Sequence, residues 1–347
     1  MNILSGNDDF FGLDIGSTSI RLVQLRGNSL KKDLLRYAYV PIDIKTSQSD
    51  SKLQQQQLLQ ILTDLIAKSG VNTKNVAVGV SSSKLFTTVA DIDKIAKDEL
   101  AKAIYFQIDS LIPTAIEDTK IDWSLLGTSP IDSNKDEILL ASIPNTFIIK
   151  TMEMIESIGL NVIAFEPDSI ALTRALIVPG MVNTQLILDI GSYNTDLIIV
   201  MNDIPRLIRS IPMGTESFIR NTAQNLNIPE DQANQLVFKF GLTKNKIDNQ
   251  VYDGLISSAD NMASEIDKSI KFFLNRYSGS RIDKIIVTGG ASTIPEFPLF
   301  LANKFGVNVE IGNSWINVNY DSSRQNELLA LSSHFAVAIG LAERRNG

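Results

Sequence analysis

The 347-residue sequence contains no cysteine. Thiol nucleophiles, disulfide staples and cysteine-ligated metals are therefore excluded, and nothing requires an oxidising compartment. A single histidine, His334, leaves histidine metal sites and a Ser-His-Asp triad without enough parts. It falls among Leu328, Leu331, Phe335 and Ile339 at helical spacing and reads as a helix residue. Basic residues are in deficit: 32 Lys and Arg stand against 39 Asp and Glu, a formal charge of −7, which does not make a nucleic-acid surface. No apolar run approaches the roughly 18 residues of a membrane span. The polar start, Met1 to Asp9, lacks the basic-then-apolar order of a signal peptide. A soluble cytosolic protein is expected. Also missing are Gly-x-x-x-x-Gly-Lys-Ser/Thr, Gly-x-Gly-x-x-Gly and the protein-kinase motif set.

What is present is ordinary globular material, 44% hydrophobic and 20% charged, with length for two domains or one two-lobed unit. Strands are predicted at Phe11–Ile15, Ile20–Leu25 and Arg36–Val40. Leu58, Ile61, Leu62, Leu65 and Ile66 mark a helix that Gly70 stops, and Val76–Val80 reads as a buried strand. From 85 to 162 the rhythm changes. A strand at Phe86–Asp91, a helix at Asp98–Leu111, strands at Asp122–Leu126 and Glu137–Ile143 and a helix at Thr146–Ser157 suggest an α+β insertion. The second half restarts the first, with strands at Leu186–Ile190, Leu197–Met201 and Pro205–Ile211. Helices follow at Thr215–Leu226 and Ala259–Tyr277, then a strand at Ile282–Val287 and a closing helix at Glu327–Glu343.

The restart is a repeat: Leu13-Asp14-Ile15-Gly16-Ser17 recurs as Leu188-Asp189-Ile190-Gly191-Ser192, each copy between strand-like runs. Two similar domains are expected to face each other across a ligand cleft. A turn tipped with Asp, Gly and Ser or Thr suits phosphates. Gly16 and Gly191 tolerate φ > 0 and let backbone amides approach phosphate oxygens, and Ser17, Thr18 and Ser192 add hydroxyl donors. A carboxylate beside phosphate needs a cation or water between them, so Asp14 and Asp189 are expected to hold Mg²⁺ through its waters. A single Asp-x-Gly-Ser is equally a tight hairpin; two copies in matched contexts favour the phosphate reading. Thr288-Gly289-Gly290-Ala291, after a buried strand, offers a flat place for a base or ribose.

These elements resemble the superfamily of actin and the sugar kinases. Asp14–Arg21 is similar to its first phosphate loop, Asp189–Thr195 to the second and Ile286–Ser292 to its adenosine motif. Over nearly its whole length the chain resembles the PilM family of actin-like ATPases of type IV pilus assembly, with which FtsA shares its architecture. That likeness is carried by Phe11 to Leu25, by Leu111-Ile112-Pro113 and Ile121-Asp122-Trp123, by Ser157 through Pro167, and by Phe335 to Ala342.

The resemblance implies an α/β fold of two lobes, duplicated RNase H-like domains with an inserted α+β subdomain. The first lobe would be 10–84 and 163–183, the insertion 85–162, the second lobe 184–214 and 282–325 with a subdomain at 215–281, and the closing helix 326–347. It implies ATP with Mg²⁺ bound by Gly16, Ser17, Thr18, Arg21, Gly191, Ser192, Thr195, Gly214, Gly289, Gly290 and Ala291. Glu166 would orient the attacking water of at most a slow ATPase; an ordinary Glu at a helix start is the alternative. Three departures stand out. Arg21 replaces the usual lysine, Gly214 is a lone glycine after Met213, and Ala233-Asn234-Gln235-Leu236-Val237 lacks the usual Glu and Lys, with Lys239 displaced.

The implied partner is the cytoplasmic tail of PilN, a single-span inner-membrane pilus protein. It would dock as an extended segment between the first lobe and the insertion and recruit the chain to the inner face of the membrane. Phe86, Ile104, Ile108, Leu111 and Ile112 are expected to line that groove, or else to be core residues of the insertion. An FtsA-like filament-forming ATPase is the alternative; a sequence that stops at Gly347, a few residues past the closing helix, is expected to lack direct membrane anchoring but still allows polymerisation. A sugar kinase would need a catalytic acid such as Asp168.

Overall fold

The computed structural model describes residues 9–27, 31–49, 51–95, 104–105, 107, 110–245 and 249–345. Contacts divide the chain into two compact units. The first comprises 1–84, 144–176 and 313–347, and the second 85–143 and 177–312.

The first unit is built on a six-stranded sheet. Its strands are β1 (Phe10–Ile15), β2 (Ser19–Arg26), β3 (Lys32–Pro41), β4 (Asn75–Val80), β8 (Asn161–Pro167) and β14 (Val318–Asn319), in the order β14-β3-β2-β1-β4-β8. β1, β2 and β3 form an antiparallel meander, and β4 and β8 add in parallel. The connecting helices are α1 (Ile44–Gln48) and α2 (Lys52–Ser69), then α3 (Asn145–Glu156) and α4 (Asp168–Leu176). Ser51 caps α2 by accepting from the Gln54 amide, and Gly70 ends it at φ 72°. Alternate residues of β1 and β2 (Phe11, Leu13, Ile20, Leu22) meet Leu58, Leu62 and Leu65 of α2 and Ile155 of α3 in one core. Each such side chain contributes roughly 1.5–3 kcal/mol by leaving water.

The helix expected at the end of the insertion, here α3, thus packs into the first unit, because Ile155 and its neighbours Met154 and Ile158 complete that core. The last long helix lies across β1, β2 and β4, against α4. Glycines set its approach: a Cβ on Gly12 of β1 would stand 2.4 Å from the Ala338 carbonyl, and one on Gly340 would stand 1.9 Å from that of Ala171.

The second unit contains the same topology again. β9 (Thr184–Ile190), β10 (Thr195–Met201), β11 (Ile204–Ile211), β12 (Lys284–Gly289) and β13 (Asn308–Ile311) run in the order β11-β10-β9-β12-β13. That is the first unit's β3-β2-β1-β4-β8 repeated, antiparallel meander and parallel additions included. Its helices are α5 (Thr215–Leu226), α6 (Glu230–Phe240), α7 (Gln250–Arg276) and α8 (Phe297–Phe305); the last long helix is α9 (Gln325–Glu343). α7 begins nine residues before the expected Ala259. The reason is tertiary: Gly254 brings α7 so close to α5 that a Cβ would lie 3.1 Å from Thr222 Cα.

A second, three-stranded sheet of this unit has the order β5-β7-β6, with β5 (Phe86–Asp93), β6 (Thr119–Thr128) and β7 (Lys135–Pro144). Ile92, Ile104, Ile112, Ile138 and Leu140 form its own core.

Candidate phosphate loops

The two Asp-Ile-Gly-Ser segments fold into the same turn. In the first unit the Gly16 amide donates to the Ser19 carbonyl at 3.0 Å, and Ile15 pairs with Ile20. In the second the Gly191 amide donates to the Asn194 carbonyl at 3.0 Å, and Ile190 pairs with Thr195. The expected positive φ is found at neither glycine. The turn closes without it, and what glycine supplies is room: a Cβ on Gly16 would lie 3.1 Å from Arg21 Nη1, and one on Gly191 would lie 3.2 Å from the Asn194 carbonyl.

The loop backbones are fixed from behind. Ile42 donates its amide to the Thr18 carbonyl at 2.9 Å, and Ser47 Oγ donates to that of Ser17 at 2.7 Å. The second loop is fixed by a helix start instead. The Thr215 and Glu216 amides, first in α5, donate to the carbonyls of Gly191 and Ser192 at 3.0 and 2.9 Å. Thr195 is fully buried, and its hydroxyl donates to the Met213 carbonyl at 2.7 Å, so it holds the loop in place. Gly214 touches the loop directly; a Cβ there would sit 2.4 Å from the Gly191 carbonyl.

β12 ends beside this loop. Thr288 pairs with Asp189 and Gly289 with Ile190. Gly289 has φ 76°, and a Cβ there would meet Asp189 Oδ1 at 2.5 Å. Gly290 lies open, 3.8 Å from Thr215 Cγ2 on the same count, whereas Ala291 is fully buried. Three segments far apart in sequence, one carrying Asp189, Gly191, Ser192 and Thr195 and the others Gly214 and Gly289, meet at one end of one sheet.

The electrostatics of the two loops differ. Asp14 pairs with Arg21 across β1 and β2, and Arg21 Nη1 donates to Asp14 Oδ2 at 2.7 Å. Asp189 occupies the same place, but its partner in the register is Asp196. Directly opposite residues project on the same face. The second loop therefore presents two carboxylates on adjoining strands, a donor set that fits a hydrated divalent cation beside phosphate. Asp196 was legible only through the pairing, since the sequence motif ends at Ser192. Among the described residues no group of three or more potential ligands forms a metal cage.

Glu166, on β8, is buried, and both its oxygens face the Arg174 guanidinium; Arg174 Nη1 donates to Oε2 at 3.2 Å and Nη2 to Oε1. Arg174 also donates to the Gly340 carbonyl. This geometry makes Glu166 a strut joining β8, α4 and α9. In the second unit, Asn234 and Gln235 are exposed on α6, and Lys239 lies over the Phe240 ring. Of the residues expected to line a peptide groove, Ile104 and Ile112 belong to the small sheet's core, while Phe86 and Leu111 are half-buried against it. Ile108 lies outside the described residues. Among the described residues no helix is long and apolar enough to cross a membrane.

A family model described as type IV pilus assembly protein PilM matches residues 12–346. Among solved structures, a PilM-PilN type IV pilus biogenesis complex matches with a TM-score of 0.81 and 22% identity, covering 96% of this chain and 97% of that one. Ethanolamine utilization protein EutJ from Carboxydothermus hydrogenoformans matches with a TM-score of 0.57 and 14% identity, covering 99% and 91%. MreB5 of Spiroplasma citri bound to ADP matches with a TM-score of 0.56 and 13% identity, covering 96% and 95%. The fold is the actin-like ATPase fold.

Proposed function

Because the chain belongs to the PilM family of type IV pilus assembly proteins, we propose that it binds Mg·ATP at both loops and a PilN-like tail at the small sheet. The observation that carries the nucleotide reading is the duplicated turn, Gly16 to Ser19 and Gly191 to Asn194, with an aspartate two residues before each glycine. Ser17, Thr18 and Arg21 serve phosphate oxygens from the first loop, and Gly191 and Ser192 from the second. Gly289 and Gly290 give the adenosine a surface without side chains. Magnesium, when bound, neutralises phosphate charge and is held through its waters chiefly by Asp189 and Asp196; Asp14 is already partnered by Arg21.

Nucleotide binding favours one arrangement of the lobes, and a partner reads it. The partner reading is supported by the family and by the solved PilM-PilN complex. An extended cytoplasmic tail would meet the small sheet at Phe86 and Leu111, over a core held by Ile104 and Ile112. That interaction would recruit the protein to the inner face of the membrane. A titration of the full chain with a labelled N-terminal PilN-like peptide, with and without Mg·ATP, tests both parts. Saturable binding altered by nucleotide is expected; absence of binding in both states would refute the pilus-tail reading.

A further inference from the structure

Glu137 is completely buried, on β7 of the small sheet. Its cross-strand partner on β5 is Asp91. Two carboxylates directly opposite one another repel, so the small sheet by itself places like charges together. The compensation comes from the second repeat. Arg276, the last residue of α7, grips Asp91 with both Nη atoms, at 2.6 and 3.1 Å, and reaches Glu137 Oε1 at 2.7 Å. Tyr277 donates its hydroxyl to the same oxygen at 2.6 Å. Arg206 of β11 donates to Glu137 Oε2 and to the Leu126 carbonyl, the latter at 3.2 Å. Burial pushes the Tyr277 hydroxyl up, and the Glu137 carboxylate pushes it further, so it stays a donor.

Arg206 reaches the cluster because of a bulge. Ile199 pairs with Leu207 and Val200 with Pro205, so Arg206 is the extra residue in β11. A bulge redirects a side chain away from the regular alternation, here toward β7. The same strand ends at the second phosphate loop: Ile211 pairs with Thr195, and Met213 accepts the Thr195 hydroxyl. A strand rising about 3.3 Å per residue spans the distance between the two without a break in the chain.

We propose that Asp91 and Glu137 form a socket that Arg206 and Arg276 close, locking the small sheet to the second repeat so that the two move as one body. The lock is charge-balanced, two acids against two arginines, and a buried network of this kind is costly to leave half-satisfied. Its consequence rests on the nucleotide reading above: the surface offered to a partner by the small sheet follows the second phosphate loop.

The test uses the full chain, whose lack of cysteine allows spin labels at Lys120→Cys on β6 and Lys271→Cys on α7, both exposed positions. Double electron–electron resonance should give one narrow distance distribution, unchanged by Mg·ATP. Glu137→Gln leaves one uncompensated positive charge and should broaden the distribution at least twofold. The double change Glu137→Gln with Arg206→Gln restores balance and should narrow it again, a rescue that lost packing alone would not produce. If Glu137→Gln does not fold, Arg206→Gln alone, with one uncompensated negative charge, should show the broadening. A broad parent distribution, a shift on adding Mg·ATP, or variants as narrow as the parent would overturn the lock. ATP binding is titrated on the same samples. Its absence would remove the nucleotide reading, and the nucleotide-free spectra would still decide the lock.

Discussion

Arg21 holds Asp14 across the β1–β2 pair at 2.7 Å, while the matching aspartate of the second repeat, Asp189, faces Asp196. The duplicated fold thus sets an arginine across from the aspartate of one loop and a second carboxylate across from that of the other. The distinction orders the roles of residues that the repeat alone makes look equivalent.

Asp189→Asn should therefore weaken ATP binding about tenfold or more, a loss of roughly 1.4 kcal/mol, and flatten its magnesium dependence. Asp14→Asn should leave the magnesium dependence in place. Calorimetric titrations of ATP across a magnesium series separate the two.

Gly214 has φ −148°, extended backbone open to any residue, so Gly214→Ala acts by sterics alone. The added methyl meets the Gly191 carbonyl and has to push the second loop off the α5 start. A stability loss of about 1–3 kcal/mol is expected, together with weaker ATP binding. Denaturant melts and the same titration measure both.

Glu343, at the end of α9, is almost wholly buried, and burial pushes its carboxyl up to about 8 despite Arg174 on α4 and Lys32 on β3. Lys32 is itself engaged, donating to the Ala342 and Arg344 carbonyls at 3.0 and 2.9 Å, where it caps the helix. With a folded pKa above the ordinary 4.5, the fold holds a proton that the unfolded chain releases. This contribution to stability is present below that ordinary value and is lost as pH rises toward about 8. Glu343→Gln should match the parent in mildly acidic solution and exceed it above the upper limit of that window, by a few kcal/mol. Denaturant melts over the window give the difference; a parallel course for both proteins would remove Glu343 from the account.

Glu166→Gln should cost about 1–3 kcal/mol of stability, less than a fully buried pair would lose, because Arg174 is partly exposed. ATP affinity should stay within about twofold of the parent. A turnover loss exceeding the binding change would return Glu166 to the reaction.

The repeat made most of this legible. Asp-Ile-Gly-Ser twice, each between β-type runs, was enough for both turns and for the strands that carry them; the fold class came from the family resemblance of these elements. What escaped depended on partners distant in sequence. Asp196 is five residues beyond Gly191 and acquires meaning only from its register with Asp189. Arg206 sits in a strand-like run, and its bulge exists only relative to β10. Gly254 looks like a breaker until α5 is placed against it. The positive φ expected at Gly16 and Gly191 belongs to Gly289 instead, where the backbone passes over Asp189. The residues Ile104 and Ile112 show the opposite failure: an apolar stripe reads alike as a groove or as a core, and here it is core.

The central proposal is that the Gly16 and Gly191 loops are each needed for binding Mg·ATP. Calorimetric titration of Mg·ATP into the parent, Gly16→Val and Gly191→Val tests it most directly, with circular dichroism as the check on folding. The account predicts one site per chain in the parent and loss of binding in each folded variant. A variant at either glycine that binds as tightly as the parent would contradict it.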